Sequence, residues 1–242
     1  MKNTLLPALL WLLALAPALA QPTTAPQVRS VAAFHAINVG SGIQVQLTAG
    51  HAQQVEASAV TIEERDRLLT TVAGGVLTIR YENPVEPALS TSSKVDRQLR
   101  VTITADQLTA LTAGSGSSVA ATGNFAASDL QLDVSSGATL KATELAPSVL
   151  VVRQSSGSTV ALAGRAARFD LRTGSGATFN GENLQTDHSQ VEASSGSSVR
   201  LAVSQDLLAE ASSGASIHYY GAPELTKRVS SGGSVSGSQK KK

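Results

Sequence analysis

The chain has 242 residues, a formal net charge of +1, no cysteine and only 3% aromatic residues. A charge balance this close to neutral argues against general affinity for nucleic acid or acidic membranes, and so few aromatics leave no stacking platform for single-stranded nucleic acid. Without cysteine there are no disulfide staples and no thiolate metal ligands, so stability must come from apolar packing and backbone ladders.

The first twenty residues read as a signal peptide. Lys2 precedes an apolar stretch from Leu5 to Leu19, interrupted by Pro7 and Pro17, and Ala18-Leu19-Ala20 has the small-x-small pattern of a cleavage site. The stretch is too short and broken for a membrane span, which needs about 20 apolar residues. The expectation is an exported, soluble protein of the periplasm or exterior, beginning at Gln21 and carrying no lipid anchor. Residues 21–33, rich in Pro and Thr, read as a flexible lead-in.

From Phe34 the pattern alternates, as in Ile43-Gln44-Val45-Gln46-Leu47, which has the period of two of half-buried strands. Thr61 to Thr71 carries Glu63, Glu64, Arg65, Asp66 and Arg67 and predicts a short helix or a charged connection. Val76–Tyr81 and Leu99–Ile103 are two further strands. The Glu82–Gln98 stretch between them holds Pro84 and Pro87 without periodicity, as functional or disordered loops do. Residues 34–107 thus form an irregular first part of a single domain over 34–237.

Residues 108–237 are regular. A Ser/Gly-Ser-Gly signature occurs seven times, with marker glycines Gly116, Gly137, Gly157, Gly176, Gly196, Gly214 and Gly232 and steps of 18 to 21 residues. A period near twenty with strand-like content marks a solenoid, whose units cannot bury a core alone. Three residues after each glycine stand Val119, Leu140, Val160, Phe179, Val199, Ile217 and Val235, and five before it Leu111, Leu132, Val152, Leu171, Val191, Ala209 and Lys227. These columns point to the core, and Lys227 marks a frayed or capping last turn. Four residues before each glycine stand Thr112, Asp133, Arg153, Arg172, Glu192, Glu210 and Arg228. In-register turns about 4.8 Å apart would pair Asp133 with Arg153, Arg172 with Glu192 and Glu210 with Arg228. The glycines serve sharp corners that need positive φ, so Gly157→Val or Gly196→Val is expected to strain its own turn and both neighbours. Residues 238–242 form a solvated basic tail. The fold class is all-β, a β-helix or β-solenoid of about 20-residue turns with Ser-Ser-Gly corners.

The chain resembles the autotransporter-adhesin head GIN domain family. The resemblance rests on Phe34-x-x-Ile37-Asn38-Val39-Gly40-Ser41-Gly42-Ile43-x-Val45-x-Leu47, then Gly50, Val55-Glu56-Ala57, Gly75-Val76-Leu77-Thr78-Ile79 and the Ser-Gly repeats, from Phe34 to Val235. It implies a β-helix-like fold in the bacterial cell envelope and supplies no catalytic or binding residues. No series of lipid-facing strands follows Ser238, so self-anchored display through a translocator barrel is not expected.

Chemical motifs are sparse. Asp170, Arg172, Glu182, Asp187, His188 and Glu192 fall in two consecutive turns and are the candidates for a polysaccharide-active enzyme, the alternative reading. Asp187-His188-Ser189 has triad residue types, but three adjacent strand residues cannot converge. His35, His51, His188 and His218 lack metal-ligand spacing, and no cofactor motif occurs, so no metal and no cofactor are expected. Ser117, Thr139, Thr159, Thr178, Ser198 and Ser216 are read as a hydroxyl strip able to hold a glycan, or as hydroxyls that only satisfy the corners. Tyr219 and Tyr220 could stack on a sugar ring or cover the end of the core. The sequence therefore predicts a non-catalytic exported module for adhesion, binding or scaffolding. Its expected partners are an envelope glycan or protein, or further copies of itself, and not nucleic acid.

Overall fold

The computed structural model describes residues 24–83 and 97–239; the first twenty residues, read above as a signal peptide, most of the Glu82–Gln98 stretch and the lysines of the basic tail lie outside the described residues. The chain forms β1 (Gln27–Val28), β2 (Ala36–Val39), β3 (Gln44–Ala49), β4 (Gln54–Ser58), α1 (Ile62–Asp66), β5 (Leu68–Ala73) and β6 (Val76–Tyr81). Then come β7 (Arg100–Ala105), β8 (Ala110–Ala113), β9 (Ser118–Thr122), β10 (Asp129–Val134), β11 (Thr139–Leu145) and β12 (Val149–Gln154). Three long strands follow, β13 (Thr159–Thr173), β14 (Thr178–Ala193) and β15 (Ser198–Ala211), and then β16 (Ser216–Tyr220), β17 (Glu224–Val229) and β18 (Ser234–Ser238).

These strands stack into a parallel β-solenoid. On the first face, β8, β10, β12, the second halves of β13, β14 and β15, and β17 pair in succession. On the second face, β9, β11, the first halves of β13, β14 and β15, then β16 and β18 do the same. The middles of β13, β14 and β15 continue around a third face, where Arg165 pairs Gln185 and Gln185 pairs Ala202.

Each corner between the first two faces is a tight turn with two residues at positive φ. Ser41, Ser115, Ser136, Ser156, Ser175, Ser195, Ser213 and Ser231 lie at φ 47–58°, each followed by a glycine at φ 67–75°. The residue after the glycine donates its N–H to the carbonyl of the residue before the serine, as Ala138 does to Ser135 at 3.0 Å. Two consecutive positive φ angles closed by this bond are the signature of a type I′ turn. The corners also bond to one another: Gly116, Gly137, Gly157, Gly176, Gly196 and Gly214 each donate to the serine carbonyl of the next corner at 3.0–3.1 Å. Gly40-Ser41-Gly42 is the first of the series, because Gly42 N–H reaches Ser115 O at 3.0 Å.

A Cβ built on Gly157 or Gly196 meets nothing within 4 Å. The first side-chain atom there reaches no neighbouring turn, so the strain of a substitution starts in its own backbone at positive φ. Gly164 is the opposite case: φ is +135° and a Cβ would collide with the Leu145 carbonyl oxygen.

The two apolar columns fill the interior. Leu132, Val152, Leu171, Val191 and Ala209 face Leu140, Val160, Phe179, Val199 and Ile217, all buried. Phe169 stacks on Phe179 at 5.3 Å between ring centroids. Burying each such side chain stabilises the fold by roughly 1.5–3 kcal/mol before ordering costs. Lys227, in the same column on the last rung, is exposed. That rung is nevertheless fully paired: β17 matches β15 from Asp206↔Glu224 to Ala211↔Val229, and β18 matches β16.

The other end is built differently. β2 lies between β6 and β8, and β3 between β7 and β9, so strands later in sequence lie beneath earlier ones. Antiparallel β4 covers β7, β5 covers β6, and β1 pairs β4 through Gln27↔Ala57 and Val28↔Glu56. The charged segment resolves into α1, N-capped by Thr61, whose side chain accepts from Glu64 N–H at 3.2 Å. Tyr81 Oη donates to Glu64, and the Arg97 guanidinium sits 5.0 Å above the Tyr81 ring. Burial first, then the hydrogen bond to Glu64, pushes the Tyr81 phenol above its ordinary pKa.

Candidate functional site: a groove along the first face

Strand alternation turns the residue four before each corner glycine outward. The register then aligns Thr112, Asp133, Arg153, Arg172, Glu192, Glu210 and Arg228 on consecutive rungs. The three expected pairs form, Arg153 to Asp133 at 3.9 Å, Arg172 to Glu192 at 3.6 Å and Arg228 to Glu210 at 2.7 Å. Gln131 and Gln190 brace the acids from the adjacent column, donating to Asp133 at 2.7 Å and Glu192 at 3.3 Å.

Between this charged column and the corner residues Ser135, Ser155, Gly174, Ser194, Ser212 and Ser230 the surface sinks into a groove of about 770 Å³. It runs from Thr112 to Arg228, six rung spacings or about 29 Å along the axis. One wall carries three carboxylates and three guanidiniums that neutralise each other, and the other carries small hydroxyl residues. Such a groove offers many donors and acceptors in a repeating array and no net charge. Beneath its centre, Gln154 and Thr173 are each 5% exposed, and the Gln154 amide and Thr173 Oγ1 have no hydrogen-bond partner. Ordered water is the ordinary remedy for such groups.

The hydroxyl strip lies around the corner, on the second face. Thr139, Thr159, Thr178, Ser198 and Ser216 stand in register on successive rungs. Ser117 does not belong with them. It is 1% exposed and faces inward, and Ser118 holds the rung opposite Thr139. The cause is a one-residue slip, which on a strand exchanges inside for outside. Among the described residues, none of these strip hydroxyls bonds to a corner.

Tyr219 is half-buried against the end of the core, whereas Tyr220 lies at the third face. Tyr220 Oη donates to Glu182 at 3.3 Å and its ring meets His218 edge-on at 4.9 Å. The carboxylates named for catalysis do not form a single group. Asp170 and Glu192 stand on the first face, and Glu182 is engaged by Tyr220 and by Arg200 at 3.7 Å. Asp187 accepts from Ser204 at 2.8 Å. His188 contacts Asp206, and Ser189 is buried against Thr186, so Asp187-His188-Ser189 points three ways. Among the described residues no three His, Asp or Glu side chains are grouped to hold a metal ion, and no helix is long and apolar enough to cross a membrane. In the sequence the charged column is legible only as a set of mutual pairs; the row of small corner residues beside it is what makes it one wall of a groove.

These features define a parallel β-solenoid with one grooved face. Residues 33–223 match the family model described as "Putative auto-transporter adhesin, head GIN domain", and the chain belongs to that family. Solved structures share the fold at low identity. A "putative adhesin" from Bacteroides fragilis superposes with a TM-score of 0.76 at 15% identity, covering 90% of this chain and 97% of its own. One from Parabacteroides merdae gives 0.69 at 16% identity, covering 89% and 96%. A "putative lipid binding protein" from Parabacteroides distasonis gives 0.64 at 16%, covering 88% and 97%. No curated protein matches the chain.

Proposed function

We propose that the protein is a non-catalytic, exported adhesion module of the bacterial envelope that binds an extended, uncharged polysaccharide along the groove of its first face. The groove carries this reading: it is open and about 29 Å long by rung spacing, and its ionic groups are already paired with each other. A polyanion would find no excess positive charge there, whereas a hydroxylated polymer meets both donors and acceptors along the rungs. Membership of an adhesin-described family and the signal-like first twenty residues support the setting. Glu192 and Glu182 are each held by an arginine and Asp187 by Ser204, which argues against glycoside hydrolysis, where two carboxylates must be available on either side of one bond. A lipid ligand is not favoured, because the groove is walled by charges and hydroxyls.

The test is co-sedimentation of the purified protein with insoluble neutral polysaccharides, peptidoglycan and whole cells, with soluble sugar assayed in parallel. Pelleting that persists in about 1 M salt, where the Debye length is about 3 Å, without sugar release, is the expected result. Release of sugar would replace this reading with an enzymatic one.

A further inference from the structure

A second concavity, of about 470 Å³, opens on the third face, around the corner from the groove. Its shape follows from one column of the register. Arg165, Gln185, Ala202 and Tyr220 occupy four consecutive rungs. Arg165 and Gln185 project on one side, Tyr220 on the other, and Ala202 has only a methyl group to offer between them. Gln185 and Tyr220 are two rungs apart, about 9.6 Å, so the alanine leaves a notch between a polar and an aromatic wall.

The aromatic wall is held in place. Tyr220 is fixed by its bond to Glu182 and its contact with His218. Glu182 is itself tied to Arg200. At the side of the notch, the Ser204 hydroxyl lies 2.8 Å from Asp187 Oδ1 and 3.1 Å from the Thr186 carbonyl. That arrangement orients Asp187 and leaves its second carboxylate oxygen for a ligand. The volume falls in the range of small-molecule sites, about 300–1,000 Å³. An aromatic face beside a carboxylate, an amide and a guanidinium suits a ligand with an apolar C–H face and a rim of hydroxyls.

We infer that this notch is a binding site for a single hexopyranose unit, with Tyr220 packing on the sugar and Asp187, Gln185 and Arg165 taking its hydroxyls. It shares no residue with the groove, so the two sites stand or fall separately. A site of this size and openness should bind with a Kd on the order of 1–10 mM, equivalent to roughly 3–4 kcal/mol.

Amide NMR titration of the full chain with glucose, galactose and mannose, each to about 50 mM, covers that range. The expected result is saturable shifts at Ala202, Ser204, Tyr220 and Gly221 with at least one sugar. Ala202→Leu, which fills the notch on an outward position, should weaken binding at least ten-fold with the spectrum elsewhere intact. Tyr220→Ala, which removes the aromatic wall, should weaken it by a similar factor, and the groove variant Arg153→Gln/Arg172→Gln should leave it unchanged. A ten-fold tighter trisaccharide would assign the site to polymer chains, and equal affinity would assign it to the free sugar; both support it. No shift with any of the three sugars overturns the inference, as do shifts that survive in folded Ala202→Leu.

Discussion

In the part of the molecule that begins at β8, every new turn lands on the turn before it; in the part before β8, β2 and β3 are sandwiched between β6–β7 and β8–β9. The first arrangement needs only a repeated rule. A serine-glycine corner, an apolar residue five before and another three after the glycine place each rung on its predecessor. The second needs particular contacts, such as Tyr81 on Glu64 and Arg97, because no repeat dictates which strand lies beneath which. The ends differ accordingly. Antiparallel strands cover the first rungs, whereas among the described residues no strand pairs the outer edges of β17 and β18, and Val229 is 49% exposed. A solenoid propagates by one repeated rule, whereas the structure that covers its first rungs is non-repetitive.

The largest effect should come from the repetitive core. Phe169→Ala removes one of the two stacked rings and is expected to destabilise by about 3–5 kcal/mol, read from urea denaturation; a loss below about 1 kcal/mol would mean the turns do not share one core. Next, Gly157→Val should cost about 1–2 kcal/mol, the penalty of left-handed backbone for a residue with a Cβ. Because a Cβ there meets no neighbour, combining it with Gly196→Val should be additive within about 0.5 kcal/mol. Clear non-additivity in the denaturation midpoints would show that corners transmit strain along the stack.

Gln154→Leu should stabilise by about 1 kcal/mol, since the buried amide has no partner and an apolar replacement removes its desolvation cost. A loss instead would show that an ordered water satisfies it.

The cap has its own pH signature. The Tyr81 phenol is raised in the folded state, so its contribution is complete below the unfolded pKa near 10 and is lost as pH rises through the folded value. The wild-type melting temperature should therefore fall more steeply above about pH 10 than that of Tyr81→Phe. Parallel curves would remove the cap bond from the account.

Most of the regular half was legible in the sequence because the repeat aligns itself. The pairing of Asp133 with Arg153 and Glu210 with Arg228 needed only a count from each glycine. The count also exposes its weakness at Ser117, where one residue's slip put a buried serine into an outward strip. That the corner serines take positive φ was not legible, since serine carries no such signature outside the turn that imposes it. Nor was the insertion of β2–β3 between later strands, which depends on contacts far apart in sequence. The groove was hidden for a different reason. Its charged wall looked complete as a set of mutual pairs, and only the three-dimensional corner shows that a row of small residues runs parallel to it.

The most direct measurement compares polysaccharide binding by the wild type and by Arg153→Gln/Arg172→Gln. That change breaks two of the groove's ion pairs on an exposed face, where each is worth about 0–1 kcal/mol to stability. The account predicts that the variant melts within a few degrees of the wild type and loses sedimentation with neutral polysaccharide at least ten-fold. Unchanged pelleting by a folded variant would contradict it and remove the groove as the binding surface.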